Sequence, residues 1–271
     1  MHRAAEIVRK GLKEEMNTKR RYGWKPDVPD HRDRVYRPRR TVQVPADLDM
    51  RPEQPPIFDQ GQLGSCTGNG IAGELEAQAL AKGEQLSILS RLFIYYNERA
   101  MEGTVSEDGG ASIRDGIKSV SAQGACPETD WPYILRKFAV KPPKHCYSDA
   151  LKLKAIQYSS VPQDLDAVKG ALASGRGIVF GISVYDSFES DDVAKTGVVP
   201  MPDPSESLCG GHCVRLVGYT DNGINGIPAQ HFIGANSWGT DWGLAGYFAI
   251  PYAYVTNPNL ADDLWVVTAV S

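Results

Sequence analysis

The chain predicts an α+β fold in which a helical first half precedes a strand-rich second half, and three observations point to it. Helical periodicity runs through residues 66–81, 89–101 and 112–123. The run Gly177-Ile178-Val179-Phe180-Gly181-Ile182-Ser183-Val184 has the short apolar, β-branched character of a buried strand. The segments holding His212 and Asn236 read as two further apolar strands, one entered through a glycine pair and one ending at an amide. With 271 residues, 42% of them hydrophobic, the chain can bury a large core.

Taken in order, the first element is a helix predicted over Ala4 to Met16. It is followed by Tyr22-Gly23-Trp24-Lys25-Pro26-Asp27-Val28-Pro29, whose prolines favour extended backbone. Residues 1–40 contain 13 Lys and Arg against 6 Asp and Glu, so a chain of net charge −4 begins with a basic arm and continues as an acidic body. Such an arm can serve a nucleic-acid or membrane surface, but an internal contact with the acidic body is the preferred reading. Neither nucleic acid nor membrane is expected as a partner: the apolar runs are of strand length, and the first thirty residues lack a signal-type apolar stretch. Cytoplasmic and exported proteins would read alike here.

The helix over 66–81 places Ile71, Leu75 and Ala79 on one face and opens at Cys66 after the glycine-rich loop Asp59-Gln60-Gly61-Gln62-Leu63-Gly64-Ser65. A cysteine at a helix N-terminus meets unpaired N–H groups and the positive end of the macrodipole, which favour the nucleophilic thiolate. Gln60 can supply a side-chain donor, beside the Cys66 N–H, for an oxyanion forming on an attacked carbonyl. Of the five histidines, His212 stands out as a base because Asn236 can accept from one ring nitrogen and leave the other for Cys66. Each residue alone has a plainer reading: a buried core thiol, a satisfied core histidine, a turn asparagine, and packing aromatics at Trp238 and Trp242. The later helix over Leu165 to Ala173 belongs with the strand-rich half, and Asp221 to Gly226 reads as a surface turn.

These segments resemble the papain-like cysteine peptidases, cathepsins included, and specifically their compact bacterial members. The resemblance covers about residues 44–250, beginning at Val44-Pro45-Ala46-Asp47-Leu48-Asp49-Met50-Arg51, which is similar to the start of a mature peptidase domain. It implies a basic N-terminal segment, 1–43, before a peptidase domain, 44–271. That domain would have a helical lobe over about 60–150 and an antiparallel, β-barrel-like lobe over about 155–260, with the active site in the cleft between them. The implied activity is endopeptidase hydrolysis of peptide or protein substrates by Cys66, His212 and Asn236, with Gln60 as oxyanion donor and no cofactor or metal. Gly64, Ser65, Gly109, Gly110, Ala111, Gly181, Gly211, Cys213 and Trp238 would bind substrate, and a monomer is expected. The glycines of Asp108-Gly109-Gly110 would let a substrate strand approach and pair through its main chain, and Trp238 would shield the Asn236–His212 hydrogen bond from water. Small residues at Ala111, Gly181 and Cys213 would leave a pocket open to bulky or aromatic side chains. Family members commonly make an N-terminal inhibitory segment, so the arm is expected either to cover part of the groove, anchored by charge and by Tyr22 and Trp24, or to form a solvated tail or a strut on the back of the domain.

The chain departs from the family pattern in carrying Leu63 and Thr67 where a disulfide cysteine and a tryptophan are common, and in lacking a cysteine before Gly109. Cys126 and Cys146 are spaced to close a loop as a disulfide, and Cys209 and Cys213 form a second candidate pair. The Cys209, His212 and Cys213 cluster does not read as a zinc site, because adjacent strand residues point to opposite faces and no second ligand pair follows. Two other functions use the same residues: an acyltransferase, in which an added amine would intercept the acyl group, and a peptide-binding module without turnover.

Overall fold

A computed structural model describes residues 20–38, 41–84, 87–152 and 154–270. The helix expected over Ala4 to Met16 lies outside them. In chain order the elements are β1 (Trp24–Lys25), β2 (Asp47–Asp49), α1 (Cys66–Ala81), α2 (Arg91–Glu102), β3 (Ala111–Ser112), α3 (Ile113–Gln123), α4 (Lys144–Ala150), β4 (Lys154–Ser160) and α5 (Leu165–Ala173). There follow β5 (Ile178–Tyr185), α6 (Asp191–Thr196), β6 (Leu208–Thr220), β7 (His231–Ala235), β8 (Tyr247–Pro251), α7 (Tyr252–Val255) and β9 (Ala261–Val270). Local chemistry sets several boundaries. Ser90 caps α2 by accepting from Phe93 N at 3.1 Å, and Asp164 caps α5 by accepting from Ala167 N at 2.8 Å. Gly103, at φ +74°, supplies the left-handed residue that ends α2.

The helical lobe is built on α1, which is buried on nearly every side rather than along the single apolar stripe its periodicity suggested. It is wedged against α2 and α3 on one side and the sheet on the other, so Glu74, Glu76 and Gln78 are enclosed with Ile71 and Leu75. Each of these side chains has a partner, although Glu74 Oε2 and Glu76 Oε2 accept no hydrogen bond: Gln78 Nε2 donates to Glu74 Oε1 at 2.9 Å, Arg215 lies 3.7 Å from Glu74 Oε2, and Leu89 N donates to Glu76 Oε1 at 2.7 Å.

The second lobe is a seven-stranded sheet ordered β4-β9-β5-β6-β7-β8, with β2 added antiparallel along the far half of β6. Its strands are antiparallel, but the sheet does not close into a barrel, since among the described residues β4 and β8 do not pair with each other. Register places Gly181 opposite Cys213 and Ile182 opposite His212. Phe180, Ile182, Val214, Leu216, Phe232 and Phe248 fill the core on the side away from α1, under α5 and the α6 region. The packing of α1 across β5, β6 and β9 is what carries Cys66 to the strand that holds His212.

No disulfide joins the cysteines. Cys126 and Cys146 lie side by side, but as two buried thiols in mutual hydrogen-bond contact rather than the expected disulfide. Cys209 is exposed at the start of β6 and Cys213 is buried against α1, so the second candidate pair is separated.

Thr67 Oγ1 donates to Glu98 Oε1 at 2.5 Å beneath the start of α1, and burial pushes this carboxyl up to about 8. An acid with a raised folded pKa keeps its proton where the unfolded chain has lost it. Its contribution therefore erodes stability as pH rises from the ordinary carboxylate range to about 8 and levels off above that. Thermal melts of Glu98→Gln are expected to decline less steeply than wild type between about pH 5 and about pH 8, and equal slopes would assign the decline to other groups.

Candidate active site

The loop before α1 is shaped by its own side chains. Gly61, at φ +58°, turns the chain while its N–H donates to Asp59 Oδ1 at 2.8 Å. Gly64 N donates to Asp108 Oδ1 at 3.0 Å, which ties the nucleophile loop to the Gly109-Gly110 loop. Ser65 occupies the N-cap of α1 without a side-chain capping bond; its hydroxyl instead meets Tyr133 OH at 2.5 Å. The first-turn N–H groups of α1 thus receive no cap from Ser65, and Cys66 sits among them, fully buried.

On the facing wall, His212 Nε2 lies 2.8 Å from Asn236 Oδ1. The amide oxygen accepts, so Nε2 carries the proton and Nδ1, buried and without a partner, holds the lone pair. Asn236 Oδ1 also accepts from Ser237 N at 2.8 Å, and Ser237 Oγ donates to Gln60 Oε1 at 2.6 Å. One hydrogen-bonded chain therefore joins Gln60 to Ser237, Asn236 and His212. Trp238 stacks on the imidazole with centroids 4.8 Å apart and planes at 23°, closing that side to water. Ser237 was not singled out from sequence, since its partner Gln60 is 177 positions away; its place between Asn236 and Trp238 was the available signal.

The N-terminal arm lies in the same place. Gln60 Nε2 donates to Arg21 O at 3.3 Å and to Leu63 O at 2.9 Å. The backbone of Gly23 is in hydrogen-bond contact with the Cys66 thiol, and Ala111 N donates to Gly23 O at 2.8 Å. Gly23, Gly64 and Gly110 meet backbone to backbone: a Cβ on Gly23 would lie 1.7 Å from Gly64 O, and one on Gly110 1.9 Å from Gly23 O. Around this crossing Arg20 stacks over Trp238 at 4.0 Å, Arg21 pairs with Asp108 at 3.1 Å, and Lys25 reaches Glu102 at 3.4 Å. Tyr22 stands edge-on to His212 at 6.1 Å, and the Trp24 ring lies against Gly181 and Gly211. Cys213 shares the buried cluster of Trp24, Cys66 and Val179, with its thiol against Gly70.

Electrostatics follow from that cover. Burial pushes the Cys66 thiol up to about 12, against the opposing pull of backbone contacts from Cys213 and Gly23. Burial likewise lowers the His212 imidazole to about 4, with Asn236 opposing and Arg20 adding to the shift. With the site covered, burial opposes charge on both the Cys66 thiol and the His212 imidazole, and His212 Nδ1 makes no hydrogen bond to the thiol.

A family model described as papain family cysteine protease matches residues 44–265. The chain belongs to the papain family of cysteine proteases. It is 44% identical over 223 residues to an uncharacterized peptidase C1-like protein of Acanthamoeba polyphaga mimivirus, covering 79% of this chain and 70% of that one. It is 30% identical over 215 residues to a cathepsin L-like peptidase of Aedes aegypti, covering 76% of this chain and 58% of the relative. Among solved structures, xylellain, a cysteine protease from Xylella fastidiosa, matches with a TM-score of 0.85 and 40% identity over 94% of this chain and 99% of that one. Digestive procathepsin L 3 of Tenebrio molitor larval midgut shares the fold at 21% identity and a TM-score of 0.66, over 92% of this chain and 76% of that one.

If the arm is what desolvates Cys66, loosening it returns water to the site and lowers the thiol pKa. Tyr22→Ala is expected to raise the rate of Cys66 alkylation by iodoacetamide at neutral pH at least about tenfold and to move its pH midpoint down; an unchanged rate would place the cover elsewhere.

Proposed function

We propose that this chain is a cysteine endopeptidase whose cleft is closed by residues 20–25 of its own N-terminal segment, 1–43, and that residues 44–271 form the peptidase domain. The observation that carries this reading is the hydrogen-bonded chain from Gln60 through Ser237 and Asn236 to His212, with the Arg21 carbonyl held by the amide donor of Gln60. A carbonyl resting on Gln60 Nε2 marks where a scissile carbonyl oxygen would be stabilised. Gly23, paired with Ala111 through its main chain, takes the path an extended peptide would follow.

In the open state the mechanism uses these groups in sequence. Departure of the arm rehydrates Cys66, the field of α1 and the neighbouring imidazole then favour transfer of the thiol proton to His212, and the thiolate attacks a peptide carbonyl. Gln60 Nε2 and the Cys66 N–H hold the oxyanion. His212 delivers its proton to the leaving amine, and afterwards takes one from the water that hydrolyses the thioester. Asn236 keeps the ring oriented throughout, with Ser237 holding Gln60 and Asn236 in register. Several solved structures that share the fold are proforms, including procathepsin L 3 and a procathepsin B of Trypanosoma congolense, which accords with an N-terminal segment in the cleft.

Peptide turnover by the full chain carrying Tyr22→Ala tests the reading. Adding Cys66→Ala is expected to abolish turnover, and adding Gln60→Ala to lower kcat by a factor of about one hundred or more. Residual turnover in the Cys66→Ala protein would contradict a thiol mechanism. Capture of the acyl group by added amines in preference to water would favour transfer over hydrolysis.

A further inference from the structure

Gln60 is held through its main chain from two directions. Its N–H donates to Ser237 O at 2.9 Å, and its carbonyl accepts from Tyr133 OH at 3.0 Å. Ser65 Oγ lies 2.5 Å from that hydroxyl, and because the tyrosine proton goes to Gln60 O, the serine is the donor in this pair. Asn69 Nδ2 in turn donates to Ser65 Oγ at 3.1 Å and to Ser65 O at 2.9 Å. The chain begins at Arg91, the first residue of α2, whose Nη1 donates to Asn69 Oδ1 at 3.2 Å and to Asp59 O at 3.3 Å. The same guanidinium lies over the Tyr133 ring at 4.0 Å and the Phe58 ring at 4.4 Å. Its remaining donors, Nε and Nη2, form a fork onto the Glu128 carboxylate at 2.9 and 2.8 Å. Arg91 is 7% exposed, so protein groups rather than water fix its plane. It reaches Gln60 both through the residue before it and through the hydroxyl on its carbonyl.

We propose that Arg91 is a positioning residue for the oxyanion donor: its planar fork fixes Phe58, Asp59 and Tyr133, and so sets where the Gln60 side-chain amide stands relative to an attacked carbonyl. This rests on the reading of Gln60 as that donor. An oxyanion donor is effective because it is already in place when charge develops, and a displacement of about 1 Å can cost about a hundredfold in rate. Lysine cannot take over the task. A single ammonium cannot pair with both oxygens of Glu128, donate to Asp59 O and Asn69 Oδ1, and lie flat against two rings.

The test uses the full chain carrying Tyr22→Ala, to which Arg91→Lys, Glu128→Gln and Gln60→Ala are added singly and Arg91→Lys with Gln60→Ala together. Circular dichroism checks the fold of each protein, and Glu128→Gln, which loosens the fork without removing it, decides the matter if Arg91→Lys does not fold. Arg91→Lys is expected to lower kcat for a peptide about tenfold with KM within about twofold, because the interaction it weakens is made in the transition state. In the Gln60→Ala background the same change should cost less than about twofold, since the donor it positions is already gone. Alkylation of Cys66 by iodoacetamide, a displacement that builds no oxyanion, should stay within about twofold throughout. Glu128→Gln should repeat the pattern with a fall in kcat of about threefold. An arginine that only braced the fold would lower the melting temperature without this dependence on Gln60. Unchanged kcat, equal losses with and without Gln60, or a matching loss of alkylation would overturn the proposal and leave the peptidase reading intact. If Gln60→Ala leaves kcat unmoved, or no protein cleaves any peptide, the reading beneath it fails, and hydrogen exchange of the Gln60 amide in the otherwise unaltered chain decides what Arg91 holds. Exchange at least about tenfold faster in Arg91→Lys would keep Arg91 as the residue that holds Gln60, and equal exchange would overturn it.

Discussion

Desolvation of the cysteine–histidine pair is the constraint on which this structure depends. Cys66 arrives at the sheet because α1 is driven across β5, β6 and β9, where the backbone of Cys213, the residue after His212 on β6, is in hydrogen-bond contact with the Cys66 thiol. With residues 20–25 over them, both side chains are fully buried, and neither carries a charge that water or a counter-ion could support. A helix N-terminus alone is worth too little to ionise a buried thiol.

The same cover explains why so many polar groups converge on six residues of the arm. Gln60, Asp108, Ala111 N and Asp263 each hold an arm atom, and each lines the groove rather than the body of a lobe. Exposed ion pairs such as Arg21 with Asp108 contribute little singly. The main-chain pairing and the buried Trp24 ring supply most of the hold, with the basic charges directing the arm onto an acidic domain. Asp108 also accepts from Gly64 N and Tyr95 OH and so joins the two glycine loops as well as holding the arm.

Much of this was legible in the sequence where the signal is local. The caps Ser90, Ser112 and Asp164 precede periodic segments, and the helices over 91–102, 113–123 and 165–173 begin where those residues sit. The pairing of His212 with Asn236 was legible because each stands in a short apolar segment, His212 within β6 and Asn236 directly after β7. What escaped depends on contacts between distant positions. The burial of Glu74, Glu76 and Gln78 on all sides of α1 reflects a wedge between two lobes, which no helical period encodes. Ser237 and Asp263 gain their significance from Gln60 and Trp24, far away in the chain. The neutral thiol, two reduced cysteines side by side and the open edges of the sheet likewise follow from tertiary packing.

The central claim, that the arm and a substrate compete for one groove, is tested most directly by hydrogen–deuterium exchange of the intact chain before and after Cys66 reacts with a peptidyl epoxide. The account predicts that residues 20–27 lose protection on modification while the Ala111 amide, bonded to Gly23 O beforehand, stays protected by the incoming peptide. Modification that leaves residues 20–27 as protected as before would contradict it, because the arm and the peptide would then occupy different places.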